Sequence, residues 1–339
     1  MTSQDDRGDR IIVQDAPPVP GLSFRRFRGD VDLPAMVAVL EGSRTVDGME
    51  RSFSVEQLIS FHAHLPNFDP ARDVFFTEVE GHIVGFSRLH WFREAEGTRV
   101  YFLMGFLLPE WRRRGIGRAM LRHSERLLRD IAATHPDGGP RMFYSWTDDT
   151  AVAKKALLCS EGYTPIRHFY QMVRPTLDDL PDALLPPGLK LRPVRPEHYH
   201  AIWDASQDAF GDTWGFMPEP EESYQAWLRE PTFDPTLWRV AWDGDQVAGQ
   251  VRSYIDAGEN VEYHRLRGYT QNISVRRPWR RRGLARALLA LSLQTLEERG
   301  MTEAALSVDA ENESGALRLY ESCGFRVVKQ SSMYAKPMT

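Results

Sequence analysis

Cysteine is nearly absent: Cys159 and Cys323 are the only two in 339 residues, and neither has the spacing of a metal site. A disulfide framework and a cysteine-built metal centre are therefore excluded, and a reducing compartment is the simpler setting. Long apolar runs are missing too. None approaches the roughly 18 residues of a membrane-spanning helix, and Met1 to Arg10 is polar, without a signal-peptide core. The expected location is cytoplasmic, with no membrane partner. An excess of positive charge is also lacking. The formal net charge is −5, so the molecule as a whole does not advertise nucleic-acid binding. What is present is ordinary for a globular protein, 42% hydrophobic and 26% charged residues. The length suits two or three domains, and each half is large enough to bury a core.

Local positive charge is concentrated in two places. Arg280-Arg281-Arg282-Gly283-Leu284-Ala285 follows Tyr269 to Val275, which is short and β-branched enough to be a strand. It precedes Leu284 to Arg299, whose leucines at 284, 288, 291 and 296 predict an amphipathic helix. A turn so placed meets the free N–H groups and the positive dipole end of a helix, and both favour an anion. Gly283 lets the backbone approach a ligand closely, and arginines add charge-assisted hydrogen bonds suited to phosphate. Trp111-Arg112-Arg113-Arg114-Gly115-Ile116-Gly117 repeats Trp279 to Ala285 at an offset of 168 residues. It too lies between an apolar stretch, Val100 to Leu108, and a helical pattern, Ile116 to Ile131.

The repetition extends to the whole chain. Residues 1–20 read as a flexible tail, 21–174 as an N-terminal domain, 175–187 as a proline-rich linker and 188–339 as a C-terminal domain. Each half gives a strand, two helices, a strand hairpin, a strand, the basic turn, a long helix, a strand, a short helix and a closing strand. The helix at Val55 to His64 is capped by Ser54 or Ser52. Gly85 matches Gly249, and Gly162-Tyr163 matches Gly324-Phe325. The expected class is α/β (α+β): two tandem domains, each a mixed, mostly antiparallel sheet with helices on both faces.

Arg-x-x-Gly-x-Gly/Ala between a strand and a helix resembles the acetyl-CoA pyrophosphate loop of the GNAT acetyltransferase superfamily. The resemblance covers about residues 21–174 and 188–336. It implies acetyl-CoA held by Arg280, Arg281, Arg282, Gly283, Leu284 and Ala285, and in the first half by Leu107, Arg112, Arg113, Arg114, Gly115, Ile116 and Gly117. It implies that Ile273, Ser274 and Val275 pair with the pantetheine arm as if it were another strand, one amide facing the developing oxyanion. Asn312, Ala316, Tyr320, Gly324 and Phe325 match an arrangement in which the Asn touches the cofactor and the Tyr donates a proton to the leaving thiolate. Aligning Gly162 on Gly324 puts Leu158 in the place of Tyr320, so the N-terminal domain is expected to have lost catalysis. Glu262 is the candidate base, with Glu259 and His264 as alternatives; the competing reading is a solvated loop carboxylate. Trp214, Phe216 and Glu219 fall in the segment that covers the acceptor in this superfamily, and the competing reading there is interface packing and a solvated helix start.

The function expected is acetyl-CoA-dependent transfer of an acetyl group to the primary amine of a small molecule, catalysed in the C-terminal domain of a monomer or homodimer. A narrower version is similar in architecture to mycothiol synthase, which also has two such domains with the working site in the second. Protein or peptide N-acetylation and a non-catalytic acyl-CoA sensor are further alternatives. Nucleic-acid binding through the two turns is opposed by the net charge and by the absence of interleaved aromatics for base stacking.

Overall fold

The computed structural model describes residues 9–49, 54–312 and 314–338. In the first half, β1 (Leu22–Arg26) leads to α1 (Leu33–Asp47), α2 (Val55–Ala63), the single turn α3 (Pro70–Asp73), the hairpin β2 (Val74–Val79) and β3 (His82–Arg93), and β4 (Arg99–Leu107). α4 (Ile116–Ala133), β5 (Arg141–Asp148) and α5 (Val152–Ser160) complete it, and β6 (Thr164–Arg174) follows. Ser54 Oγ accepts from the Gln57 N–H at 3.1 Å and Gln57 returns a bond to the Ser54 N–H, so α2 starts in a reciprocal cap. The alternative cap, Ser52, lies outside the described residues.

The second half restarts with β7 (Lys190–Leu191), α6 (Tyr199–Phe210), α7 (Glu221–Trp227), β8 (Arg239–Asp243) and β9 (Gln246–Tyr254). Then come α8 (Ala257–Glu262), β10 (Arg267–Val275), α9 (Leu284–Glu298), β11 (Glu303–Asp309), α10 (Ala316–Ser322) and β12 (Arg326–Pro337). The sheet order is β6-β11-β10-β9-β8-β7, antiparallel throughout except for β10 and β11. Ser253 meets Ser292 of α9, whereas Gln250, three residues earlier on β9, donates to the Ile202 carbonyl of α6. Odd spacing on a strand means opposite faces, so helices cover both sides of the sheet. The first half's sheet runs β1-β2-β3-β4-β5-β12, with β4 and β5 parallel. Among the described residues no helix is long and apolar enough to cross a membrane.

The linear domain division needs amending. One compact unit takes the chain up to Ile166 together with Ser332 onward, and the other is Arg167–Ser331. Each half gives up its closing strand. Phe169–Arg174 of β6 pair with Ala304–Asp309 of β11 in the second unit. The end of β12 lies beside β5 in the first, where Tyr334 is buried with Leu128, Phe143 and Leu158. Periodicity identifies a strand but not its partner, which is chosen by the apolar face that the strand can complete. The segment 175–187 is not a free linker either: Leu177 is buried in the second unit's core and its N–H donates to the Thr302 carbonyl at 3.1 Å. The described part of the tail is also packed, since Ile11 N–H reaches the Phe24 carbonyl at 2.9 Å and Val13 is buried against Phe24 and Phe75. Met1 to Gly8 lie outside the described residues.

The repeated glycines have a shared cause. A Cβ on Gly85 would stand 2.6 Å from the Phe106 carbonyl oxygen, and one on Gly249 2.9 Å from that of Ser274. Each lets β3 or β9 close on the strand that precedes a basic turn.

Candidate active site

In the second unit the parallel ladder between β10 and β11 is short. It pairs Arg267 to Tyr269 with Glu303 to Ala305 and stops there. β10 continues to Val275 with only β9 in register, so its edge from Thr270 onward is open toward β11 and the strands form a fork. On the β9 side the register shifts between Gln271 and Ser274, and Asn272 at the bulge has φ 49°. Ser206 of α6 and Ser274 bond the Asn272 amide at 2.8–3.3 Å, which fixes the bulge. Ile273, Ser274 and Val275 therefore stand at an open strand edge beside the turn. An extended ligand arm has backbone donors and acceptors to pair with there.

At the head of the fork the chain enters α9 through Arg281 (φ 60°) and Gly283 (φ 82°). The N–H groups of Arg281 to Ala285 have no backbone acceptor among the described residues. A Cβ on Gly283 would meet nothing within 4 Å, and Leu284 beneath is buried. Left-handed residues alternating with others turn successive N–H groups inward, and the helix dipole adds to that field. The residues thus fit a diphosphate. The three arginines do different things. Arg280 is a clamp: its guanidinium donates to the carbonyls of Val275 (2.9 Å) and Ala209 (2.8 Å) and pairs with Asp212 (3.1 Å). Arg277 also binds Asp212, and the two hold its carboxyl down at about 2, Arg277 contributing most. Arg281 and Arg282 remain exposed at the rim.

Tyr320 and Ile273 are brought together: the ring is buried in the cluster of Leu289, Leu293 and Phe325, and Ile273 packs against it. The hydroxyl makes no hydrogen bond among the described residues. Burial, and secondarily the nearby Cys323 thiol, pushes the phenol up to about 12. It stays protonated, as a donor must. Asn312 does not open α10 as the sequence suggested. The helix begins at Ala316 behind Gly315 (φ 81°), because the left-handed glycine caps it, and the Asn312 side chain accepts from the Ser314 N–H at 2.8 Å.

Glu262 is exposed at the C-terminal end of α8, a helix that the sequence reading missed. Its signal was there: Asp256 caps the Glu259 N–H at 2.9 Å, an acidic residue three positions before another. Glu259, one turn before Glu262, is buried. It accepts hydrogen bonds from the Tyr269 hydroxyl and from Arg265, and Tyr269 is the last β10 residue in the ladder with β11. Burial first, then Glu259, pushes the Tyr269 phenol up.

The α6–α7 connection crosses the mouth of the fork. Asp212 is tied to the basic turn, while half-buried Trp214 reaches β6, with Phe169 at 6.4 Å and the Arg167 guanidinium 5.3 Å from its ring. Phe216 is half-buried in the same segment, and exposed Glu219 bonds Gln207 through its N–H at 3.3 Å. A residue overlooked in the sequence lies under this cover. Arg252 on β9 sits opposite Gln271, its guanidinium 4.8 Å from the Trp227 ring. Burial holds it down to about 10 against the opposing pull of Glu230 and Glu219, and its Nη1 has no hydrogen-bond partner among the described residues.

The first unit repeats the fork and the basic turn; among the described residues it has no phenol at this place, no bulge on the strand before the turn and no counterpart of α8. The β4–β5 ladder ends at Phe102 and Tyr144, Arg113 and Gly115 have φ 63° and 84°, and Arg112 clamps the Leu107 carbonyl (2.9 Å) and Asp47 (2.6 Å). Arg114 stacks on Trp111 at 4.7 Å, and the N–H groups from Arg113 to Gly117 have no backbone acceptor among the described residues. A cavity of about 550 Å³ fills this fork, bounded by Gly105, Leu107, Gly115, Gly117, Lys154 and Leu158. Ile116 is fully buried beneath it, and Leu158 occupies the place that Tyr320 has in the other unit.

Comparison with known proteins places this geometry. The model of the acetyltransferase (GNAT) family matches residues 42–143 and again 199–325. Mycothiol acetyltransferase of Geodermatophilus obscurus is 29% identical over 307 residues, 86% of this chain and 90% of that protein. That of Salinispora arenicola is 31% identical over 264 residues, covering 76% and 78%. A GCN5-related N-acetyltransferase from Sphaerobacter thermophilus superposes with a TM-score of 0.71 over 94% of this chain and 96% of its own, at 24% identity. A tandem GNAT protein from the clavulanic acid biosynthesis pathway gives 0.63 at 15% identity over 94% and 99%. Two family matches on two copies of the fork and turn lead to one conclusion: the chain belongs to the GNAT acetyltransferase family and is a tandem-domain N-acetyltransferase.

Proposed function

We propose that the second unit transfers the acetyl group of acetyl-CoA to the primary amine of a small molecule, and that the first unit binds the coenzyme without acting on that amine. The observation carrying this is the asymmetry at one position, a buried protonated phenol in one fork and Leu158 in the other. Bound acetyl-CoA supplies an activated acyl group and a leaving thiolate. The chain does the rest. The N–H groups of Arg281 to Ala285, with Arg281 and Arg282, hold the diphosphate; the open edge at Ile273 to Val275 aligns the arm and turns an amide toward the acyl oxygen. Tyr320 donates to the departing sulfur. Glu259 takes the ammonium proton through the Tyr269 hydroxyl, which passes its own proton to the carboxylate as it accepts another. Exposed Glu262 then serves as a rim charge for the incoming cation.

Trp214, Phe216 and Glu219 from the cover, with Arg252 and Trp227 on the floor, give an aromatic and mixed-charge pocket suited to an amphipathic amine. Acceptors related to mycothiol lead the screen, because relatives bearing that name span most of the chain. The test is an acceptor screen read by thiol release, repeated with Gly283→Glu and Gly115→Glu. Turnover should vanish in Gly283→Glu. Loss confined to Gly115→Glu would move catalysis to the first unit.

A further inference from the structure

The first unit's cavity contains an amine. α5 packs on the α4 side of the sheet, with Leu157 next to Gly117 and Leu158 in the cluster of Leu121 and Leu128. Lys154 leaves that helix and ends on the other side. Its Nζ lies 3.5 Å from Met104 Sδ and 5.4 Å from the Phe106 ring. Met104 is in register with Arg88, whose guanidinium covers Phe61 of α2, and Phe106 packs with Met36 and Leu40 of α1. Lys154 therefore threads the fork from the α4 face to the α1–α2 face. The thread passes just beyond the point where β4 and β5 separate, two residues after Phe102. In the second unit the corresponding face is the one packed by α6 and α7, where the acceptor pocket is proposed above.

Two further groups indicate that the cavity is built for a polar ligand. The Ser87 and Ser145 hydroxyls line it, are at most 1% exposed as residues, and have no hydrogen-bond partner among the described residues. Unpartnered buried hydroxyls are costly unless something bonds them. The same cavity is bounded by Arg113, Gly115 and Gly117 of the basic turn. A coenzyme seated on that turn would have Gly105, Leu107, these hydroxyls and Lys154 along the same cavity for its arm.

We infer that Lys154 is itself an acyl acceptor, modified in cis by acetyl-CoA bound in the first unit. The inference rests on the reading that this unit holds the coenzyme. In the step, the neutral Nζ forms a bond to the acetyl carbonyl carbon, the carbon–sulfur bond breaks, and the electron pair leaves on sulfur. The nitrogen loses a proton and the thiolate gains one, giving an acetamide and free coenzyme A. No other reactant is needed. Burial holds the Lys154 amine down to about 8, helped by Arg88 and Arg112 and opposed by Asp47 and Asp148, so a useful fraction is neutral. Leu158 supplies no proton, but the thiolate takes the one released by the amine.

The full-length protein is incubated with isotope-labelled acetyl-CoA and no added amine, then analysed by intact mass and peptide mapping. One acetyl group per chain is expected, on Lys154, at a rate independent of protein concentration. That rate should fall about tenfold for each pH unit below about 8 and level off above it. Label should be absent from Lys154→Arg with an unchanged melting curve, absent from Gly115→Glu, and retained in Gly283→Glu. No label on Lys154 well above pH 8 overturns the inference, as does equal labelling of Lys155 and Lys190 or persistence in Gly115→Glu, either of which is solution chemistry. Amine turnover with Lys154 unmodified would sink this inference alone; label on Lys154 without turnover of any amine would sink the reading of the second unit alone.

Discussion

Tyr320→Phe separates chemistry from structure because its hydroxyl has no hydrogen-bond partner among the described residues. Tyr320 is 6% exposed and packed among Leu289, Leu293 and Phe325, contacts that Phe retains. The substitution deletes no hydrogen bond among the described residues, so the usual cost of about 1 kcal/mol for losing one does not arise. General acid catalysis is worth about 10²–10⁴ in rate, or about 3–5 kcal/mol of barrier. The expected outcome is a fall in kcat of at least about a hundredfold with a urea midpoint unchanged within error. Thiol release under saturating acetyl-CoA and a screened amine measures the first, and equilibrium unfolding the second. The pH profile carries a further check. An acid must be protonated to act, and burial has moved this one up to about 12, so the wild type should show no alkaline limb from Tyr320 across the ordinary assay range. Turnover within threefold of wild type would refute the assignment. A stability loss above about 1 kcal/mol would show that the hydroxyl has a structural partner after all.

The arginines of the second turn should divide by role. Arg280→Ala strands the carbonyls of Val275 and Ala209 and should destabilise by about 1–3 kcal/mol, whereas Arg282→Ala should leave stability alone and weaken acetyl-CoA binding about ten- to a hundredfold in calorimetry; the reverse pattern would exchange their roles. Ending the chain at Ser331 removes Tyr334 from the core around Phe143 and Leu158 and the Lys336–Glu125 pair at 2.8 Å, so the first unit should lose about 3 kcal/mol or more and limited proteolysis should cut there before the second. Stability should also fall with acid. Burial, then Arg88, holds His90 down to about 3 from 6.5, so the folded protein keeps it neutral while the unfolded chain protonates it. Its contribution is fully present above 6.5 and is lost as pH falls toward 3, at up to about 1.4 kcal/mol per unit, and His90→Gln should flatten urea midpoints across that window.

The sequence alone determined the local parts. Alternation and 3.6-residue periodicity are short-range properties, so the strands, the long helices and both basic turns were legible, and the copying of Trp111 to Gly117 as Trp279 to Ala285 exposed the duplication. Spacing also put Tyr320 and Leu158 at equivalent places. What the sequence could not supply were pairings made across distance. The trade of closing strands depends on which sheet offers β6 and β12 a matching apolar face, and neither strand's own pattern names that sheet. The division of labour among three adjacent arginines depends on Asp212 and on the Val275 and Ala209 carbonyls, reached only after folding. Buried Arg252, the Glu259–Tyr269 contact and the thread of Lys154 through its fork share that origin: each joins side chains whose distance is set by strand register and helix docking rather than by proximity along the chain.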